Sequence, residues 1–231
     1  MVKKKRVTRK ELLKGPDEFL TVSAKVIRFA AENQKQIAYA TIGLVAGVLV
    51  FFLYQYVSAR SERKAFALFQ EGFAHHVNFR STPSADSDAV AKEKFTEVLE
   101  KFGSTAAARL ALPMKGDLDY RQGAYDEAIA LYEKALEAFS EDQGFRSLMW
   151  NNLGYAYEGK KDYRSAVQWF QRLAESESDL MKADAYFNLG RMYEALNEKE
   201  KALEAYNKVA KDYGESVHAQ LAKEKAAHLE G

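Results

Sequence analysis

The chain contains no cysteine, which excludes a thiolate nucleophile, a disulfide and a Cys-ligated metal. Its four histidines are His75, His76, His218 and His228. His75 and His76 are adjacent, so on a helix they point about 100° apart and do not chelate together. All four are expected to be ordinary surface histidines. Neither H-E-x-x-H nor G-x-S-x-G occurs. Gly154-Tyr-Ala-Tyr-Glu-Gly159-Lys160 has the spacing of a phosphate loop. Lys161 follows where Ser or Thr would hold Mg²⁺, and no strand precedes it. Acidic pairs such as Glu175 and Glu177 read as solvated loop or helix-end charges. No catalytic, cofactor or metal site is expected, and no enzymatic activity.

With chemistry set aside, the question becomes what the elements are built to present. Apolar residues make up 47% of 231 residues, Pro occurs three times, and strand-like alternation is scarce. An all-α chain is expected. The net charge of +1 hides three different segments. Residues 1–36 carry ten Lys/Arg against four Asp/Glu, a net of +6; residues 37–57 carry none; residues 58–231 carry a net of −5. These are taken as three domains: a basic tail, an apolar segment and an acidic body.

Residues 37–57 read IAYATIGLVAGVLVFFLYQYV. A helix of that length spans roughly 30 Å, the thickness of a bilayer's hydrocarbon core. Phe51, Phe52, Tyr54 and Tyr56 gather at its far end like an interfacial belt. The run is longer than the apolar region of a cleaved signal, and 36 residues precede it. A retained transmembrane helix is expected. Basic residues near its two ends tie, but the wider tail places more of them on the N-terminal side, so the N-terminus is expected in the cytoplasm. Gly43 and Gly47 form a G-x-x-x-G that would let another membrane helix approach. Before the span, residues 16–36 suggest a short amphipathic helix, with Phe19, Val22, Val26 and Phe29 at spacings of three or four. This basic stretch suits anionic lipid headgroups or ribosomal RNA, or serves only to set topology.

The body repeats itself. In a unit starting at Ser147, Trp150, Leu153, Gly154 and Tyr157 take positions 4, 7, 8 and 11, and Ala166, Phe170 and Leu173 take positions 20, 24 and 27. A unit starting at Ala183 repeats this with Tyr186, Leu189, Gly190, Tyr193, Ala202, Tyr206 and Val209. These residues resemble the tetratricopeptide (TPR) signature, in which two antiparallel helices form each repeat. A unit near Arg109 is divergent: Lys115 and Asp119 replace Leu and Tyr, and Pro113 is expected to interrupt its first helix or shift its start. A looser first hairpin uses residues 65–77 and 91–102, separated by a turn-rich linker at 81–88. Residues 216–229 are expected to cap the stack, with Leu221, Ala222 and Leu229 covering its core. The expected architecture is therefore a transmembrane helix followed by a TPR-like solenoid of roughly four hairpins and a cap.

What the TPR resemblance implies is a concave binding face lined by positions 2, 5, 9 and 12 of the first helices. Here these are Leu148, Asn151, Tyr155 and Glu158, then Asp184, Phe187, Arg191 and Glu194. Asn151, Asn152 and Asn188 would hydrogen-bond an extended peptide, and Tyr155 and Phe187 would take apolar side chains. The Lys and Asn of the chaperone-binding carboxylate clamp are not at positions 5 and 9. The body's negative charge disfavours nucleic acid.

Phe95-Thr-Glu-Val-Leu-Glu-Lys-Phe-Gly-Ser104 and Tyr125-Asp-Glu-Ala-Ile129, with the basic tail and single span, resemble the ancillary SecYEG translocon subunit family over roughly residues 30–215. That resemblance implies a bacterial inner-membrane protein with a periplasmic body, which contacts the translocon and periplasmic chaperones or emerging clients. Three functions fit: a scaffold or chaperone-like adaptor for exported proteins, an assembly factor for a division, pilus or secretion machine, or an outer-mitochondrial receptor. The partners expected are other proteins or peptides and the bilayer, and a homodimer is compatible with the sequence.

Overall fold

The computed structural model describes residues 18–81, 85–179 and 181–231. Among them are ten helices and no strand. They are α1 (Glu18–Glu32), α2 (Gln34–Ser81), α3 (Ala85–Lys101), α4 (Ala106–Arg121), α5 (Tyr125–Ala138), α6 (Gln143–Gly159), α7 (Tyr163–Ala174), α8 (Lys182–Ala195), α9 (Lys199–Asp212) and α10 (Ala219–Glu230). Contacts divide the chain into two units, Met1–Ala59 and Arg60–Gly231.

The described part of the first unit holds α1 and the start of α2. Residues 1–17, which include the first two positions of the amphipathic helix expected at 16–36, lie outside the described residues. The apolar run falls inside α2, which over Gln34–Val77 is long and apolar enough to cross a membrane. Its apolar side chains are exposed in the isolated chain; Leu44 is 69% and Phe52 is 64% accessible. Nothing lies within 4 Å of where a side chain on Gly43 or Gly47 would be.

In the second unit, helices pack in chain order, each against the next from α3 to α10. α4, α6 and α8 are the first, or A, helices of their hairpins; α5, α7 and α9 are the second, or B, helices. One contact recurs. A side chain added at Gly154 would lie 2.5 Å from a Phe170 ring carbon, one at Gly190 2.5 Å from Tyr206, and one at Gly116 2.6 Å from Tyr132. Each B-helix aromatic thus lies on the bare backbone of an A-helix glycine. The unpromising first hairpin obeys the same rule, with Gly72 of α2 meeting Phe95 of α3 at 3.0 Å. Phe95, Tyr132, Phe170 and Tyr206 are all buried, with Ala91, Ala128, Ala166 and Ala202 one turn earlier.

Local signals set the helix ends. The side chains of Thr105, Asp142 and Asp162 accept the backbone N–H of Ala108, Phe145 and Ser165, satisfying donors that the first turn leaves unpaired. The A helices α4, α6 and α8 end in a common turn. Gly123, Lys161 and Asn197 take left-handed φ of 77°, 63° and 58°, and the following N–H reaches back to Asp119, Tyr157 and Tyr193.

Several expectations need correction. Pro113 does not interrupt α4; it lies buried inside one continuous helix. The linker at 81–88 is shorter than expected, because α2 runs through Ser81 and α3 begins at Ala85, with Asp86 and Asp88 in its first turn. Lys115 and Asp119 are not mere degeneracy. Asp119 is 1% exposed and accepts from Lys115 at 2.7 Å and from Lys92 of α3 at 2.8 Å. Leaving such a buried carboxylate without these partners would be costly. Glu62 of α2 likewise caps α4, accepting the N–H groups of Ala106 and Ala107 at 3.0 and 3.2 Å.

α10 packs on the last hairpin in the place that a further A helix would take. Ala219, Ala222 and Ala226 are buried and Leu229 packs beside them, but Leu221 is 46% exposed and does not cover the core. Counted by the same repeat, Lys223 and Glu224 stand where Leu189 and Gly190 stand in α8. Lys225 Nζ pairs with Glu194 of α8 at 3.0 Å, and the Tyr206 hydroxyl donates to the same carboxylate. Burial alone raises the Glu194 carboxyl, but Tyr206 and Lys225 outweigh it and hold it below its usual range.

Gly154→Ala or Gly190→Ala overfills its crossing and is expected to cost about 1–3 kcal/mol. The readout is a lower thermal midpoint by circular dichroism of the full chain in detergent; Gly43→Ala leaves the midpoint unchanged. Because the folded-state pKa of Glu194 is depressed, its contribution is present above the ordinary carboxyl range and lost as pH falls through about 4 and below. Amide exchange, corrected for intrinsic rate, should show α10 losing protection there before α6, and Glu194→Gln should remove that extra acid sensitivity.

Candidate partner-binding groove

Three polar networks run along the A helices. In the first, Asp117 of α4 accepts from the Tyr132 hydroxyl at 2.7 Å and from Asn152 of α6 at 3.3 Å. With His76, Tyr120, Arg121 and Tyr155 these residues line a cleft of about 380 Å³. Arg121 also pairs with Asp88 at 2.7 Å. Burial, then the Asp117 charge, push the Tyr132 hydroxyl far above its ordinary range, so it remains a donor.

In the second network, Asn188 of α8 donates to the Tyr155 hydroxyl at 2.9 Å and accepts from Arg191 at 2.9 Å. Arg191 also pairs with Glu158. The Tyr155 ring meets Phe170 edge-on at 5.5 Å, which fixes where its hydroxyl can sit. In the third, Glu194 joins Tyr206 to Lys225.

The register explains the arrangement. Asn152 and Asn188 both occupy position 6 of their repeats, and each bonds to position 9 of the repeat before: Asp117 and Tyr155. Arg191 and Lys225, both at position 9, pair with position 12 of the repeat before: Glu158 and Glu194. The repeat that packs the core therefore also lays a ladder of amides, phenols and ion pairs across the A helices.

Of the residues expected to form the face, Tyr155, Glu158, Asn188 and Arg191 are brought together, and Glu194 joins the neighbouring network. Leu148 stands exposed at 41%. Four do not offer the free side chain expected of them. Phe187 is buried under α10, stacked on His218 with ring centres 4.5 Å apart. Asn188 is 2% exposed and committed to its neighbours. Asn151 is also buried, and its carboxamide oxygen has no hydrogen-bond partner. Asp184 is tied to His218 at 2.6 Å.

The cleft around Asp117 was missed because its repeat departs from the signature. Asp117 and Tyr120 nevertheless stand at positions 9 and 12 of the unit counted from Arg109. The surface reading of the histidines is corrected for His76, which is buried against Phe95, and for His218, the residue before α10, which is half-buried against Phe187 and Asp184 of α8. The phosphate-loop spacing at 154–160 is a packing feature: Gly154 meets Phe170, Gly159 meets Tyr125, and Lys160 pairs with Asp126. Among the described residues, no three His, Asp or Glu are grouped to hold a metal ion.

Comparison with known proteins agrees with this geometry. Residues 105–176 and 184–216 match tetratricopeptide repeat models. A tetratricopeptide repeat protein from Parabacteroides merdae has a similar fold, with a TM-score of 0.56, 18% identity, and 71% of this chain and 61% of that one covered. MamA is similar too, with a TM-score of 0.52, 20% identity, and 70% and 86% covered. A segment of 58 residues is 34% identical to the human protein O-mannosyl-transferase TMTC3, covering 25% of this chain and only 6% of that protein. The described residues thus form helices alone, and the chain carries tetratricopeptide repeats at 105–176 and 184–216, which imply a scaffold for contact between proteins.

Proposed function

We propose that this protein is a membrane-anchored adaptor of the bacterial inner membrane that holds other polypeptides on the A-helix face of its repeats. It acts by contact rather than catalysis. Its N-terminus is cytoplasmic and its repeat body periplasmic, where it serves exported proteins, their chaperones or the translocon that delivers them. The observation that carries this reading is the pairing of two features in one chain. One is an uncharged run of 21 residues whose large apolar side chains are exposed in the isolated chain. The other is a polar and aromatic face that repeats with the period of the hairpins.

That face suits an extended main chain. Tyr155, Asn152 and Arg191 supply donors and acceptors, while exposed Leu148 and Leu110 at the front of their helices offer apolar contact. Peptide binding in such a groove gains more from main-chain hydrogen bonds and a few anchors than from area. The burial of Phe187 moves the expected anchor points toward α4 and α6.

A photo-crosslinking amino acid at Tyr155 or Leu148 in native membranes should yield covalent adducts with other polypeptides, and one at Lys208 on α9 should yield far fewer. Equal yields from both faces, or none, would remove the adaptor reading. A reporter fused to the C-terminus should be active only in the periplasm.

A further inference from the structure

We propose that α1 lies in the lipid–water interface of a bilayer rich in anionic headgroups, as a second membrane contact beside the span. Val22, Val26, Ile27 and Phe29, with Ala24, Ala30 and Ala31, span an arc of about 220° of its circumference at 100° per residue, in which Ser23 is the one polar residue. The four large side chains are 59–68% exposed. Lys25, Arg28 and Glu32 occupy the remaining strip, and Arg28 is tied to Glu32 at 2.9 Å. A helix that is apolar over more than half its girth does not rest in water.

Charge and position select lipid over protein as the occupant. Lys25 and Arg28 flank the apolar arc, where their stems reach along it and their charges stay with headgroups. Residues 1–17 add seven Lys/Arg against two Asp/Glu. Only the turn at Asn33 separates α1 from α2; the Asn33 side chain donates to Phe29 O at 2.8 Å, and Asn33 O accepts from Ile37 N at 3.0 Å. Four residues of helix advance about 6 Å. Once Ile37 enters hydrocarbon, α1 is held at headgroup depth, with its apolar arc about 5–10 Å into the acyl boundary. The inference rests on the anchored reading above.

The absence of cysteine makes the test direct. Single cysteines placed at Val26, Phe29, Lys25, Arg28 or Leu49 of the full chain carry an environment-sensitive fluorophore, in vesicles of phosphatidylcholine and phosphatidylglycerol. Emission from positions 26 and 29 should shift to the blue and be quenched by shallow bromolipids, while 25 and 28 do neither. Lys25→Glu with Arg28→Glu should lose that quenching. Leu49 should be quenched by deep bromolipids whatever the headgroup. Quenching at Leu49 without quenching at 26 and 29 overturns the interfacial helix alone. No quenching at Leu49 overturns the anchor, and the helix placement with it. A blue shift at 26 and 29 that bromolipid does not quench means a protein covers α1, and overturns the proposal.

Discussion

A B-helix aromatic ring pressed onto the bare backbone of an A-helix glycine is the contact on which the repeat body depends. It sets how closely the two helices of a hairpin approach. Because it recurs at Gly72, Gly116, Gly154 and Gly190, it gives every hairpin the same geometry. Interiors are packed densely enough that one added methyl group is felt, so the crossing tolerates little else. Everything on the A helices inherits this spacing. Position 9 of one repeat meets position 12 of the one before only because the crossings repeat.

Where sequence and structure agree, the agreement traces to local or periodic signals. Gly154 with Phe170 and Gly190 with Tyr206 are each 16 residues apart, and so are Gly116 and Tyr132. That is why the last two hairpins were legible from residue types alone. Gly72 and Phe95 are 23 residues apart, since the first hairpin is longer, and the fixed spacing hides them. Asp119 and Lys115 looked like decay of the pattern. Their meaning depends on Lys92, which reaches them from another helix and which no periodicity announces.

The groove was half legible for the same reason. Repeat positions located Tyr155, Glu158, Arg191 and Glu194, because register alone decides which way they face. Burial was not legible. Phe187 and Asp184 lose their freedom to His218, which arrives from beyond a further helix. Tyr206 and Lys225 together occupy Glu194 in the same way. The C-terminal helix thus converts part of an expected binding face into internal structure, and concentrates the open part on α4 and α6.

Two kinds of surface distinguish the two units. The described part of the first unit carries exposed apolar side chains; the second carries a patterned polar face. Hydrogen exchange of the full chain in bilayer nanodiscs, with and without an added unfolded polypeptide, tests their division most directly. The account predicts new protection on α4, α6 and α8, and none on α5, α7 and α9. Protection confined to the B helices, or no change at all, would contradict it.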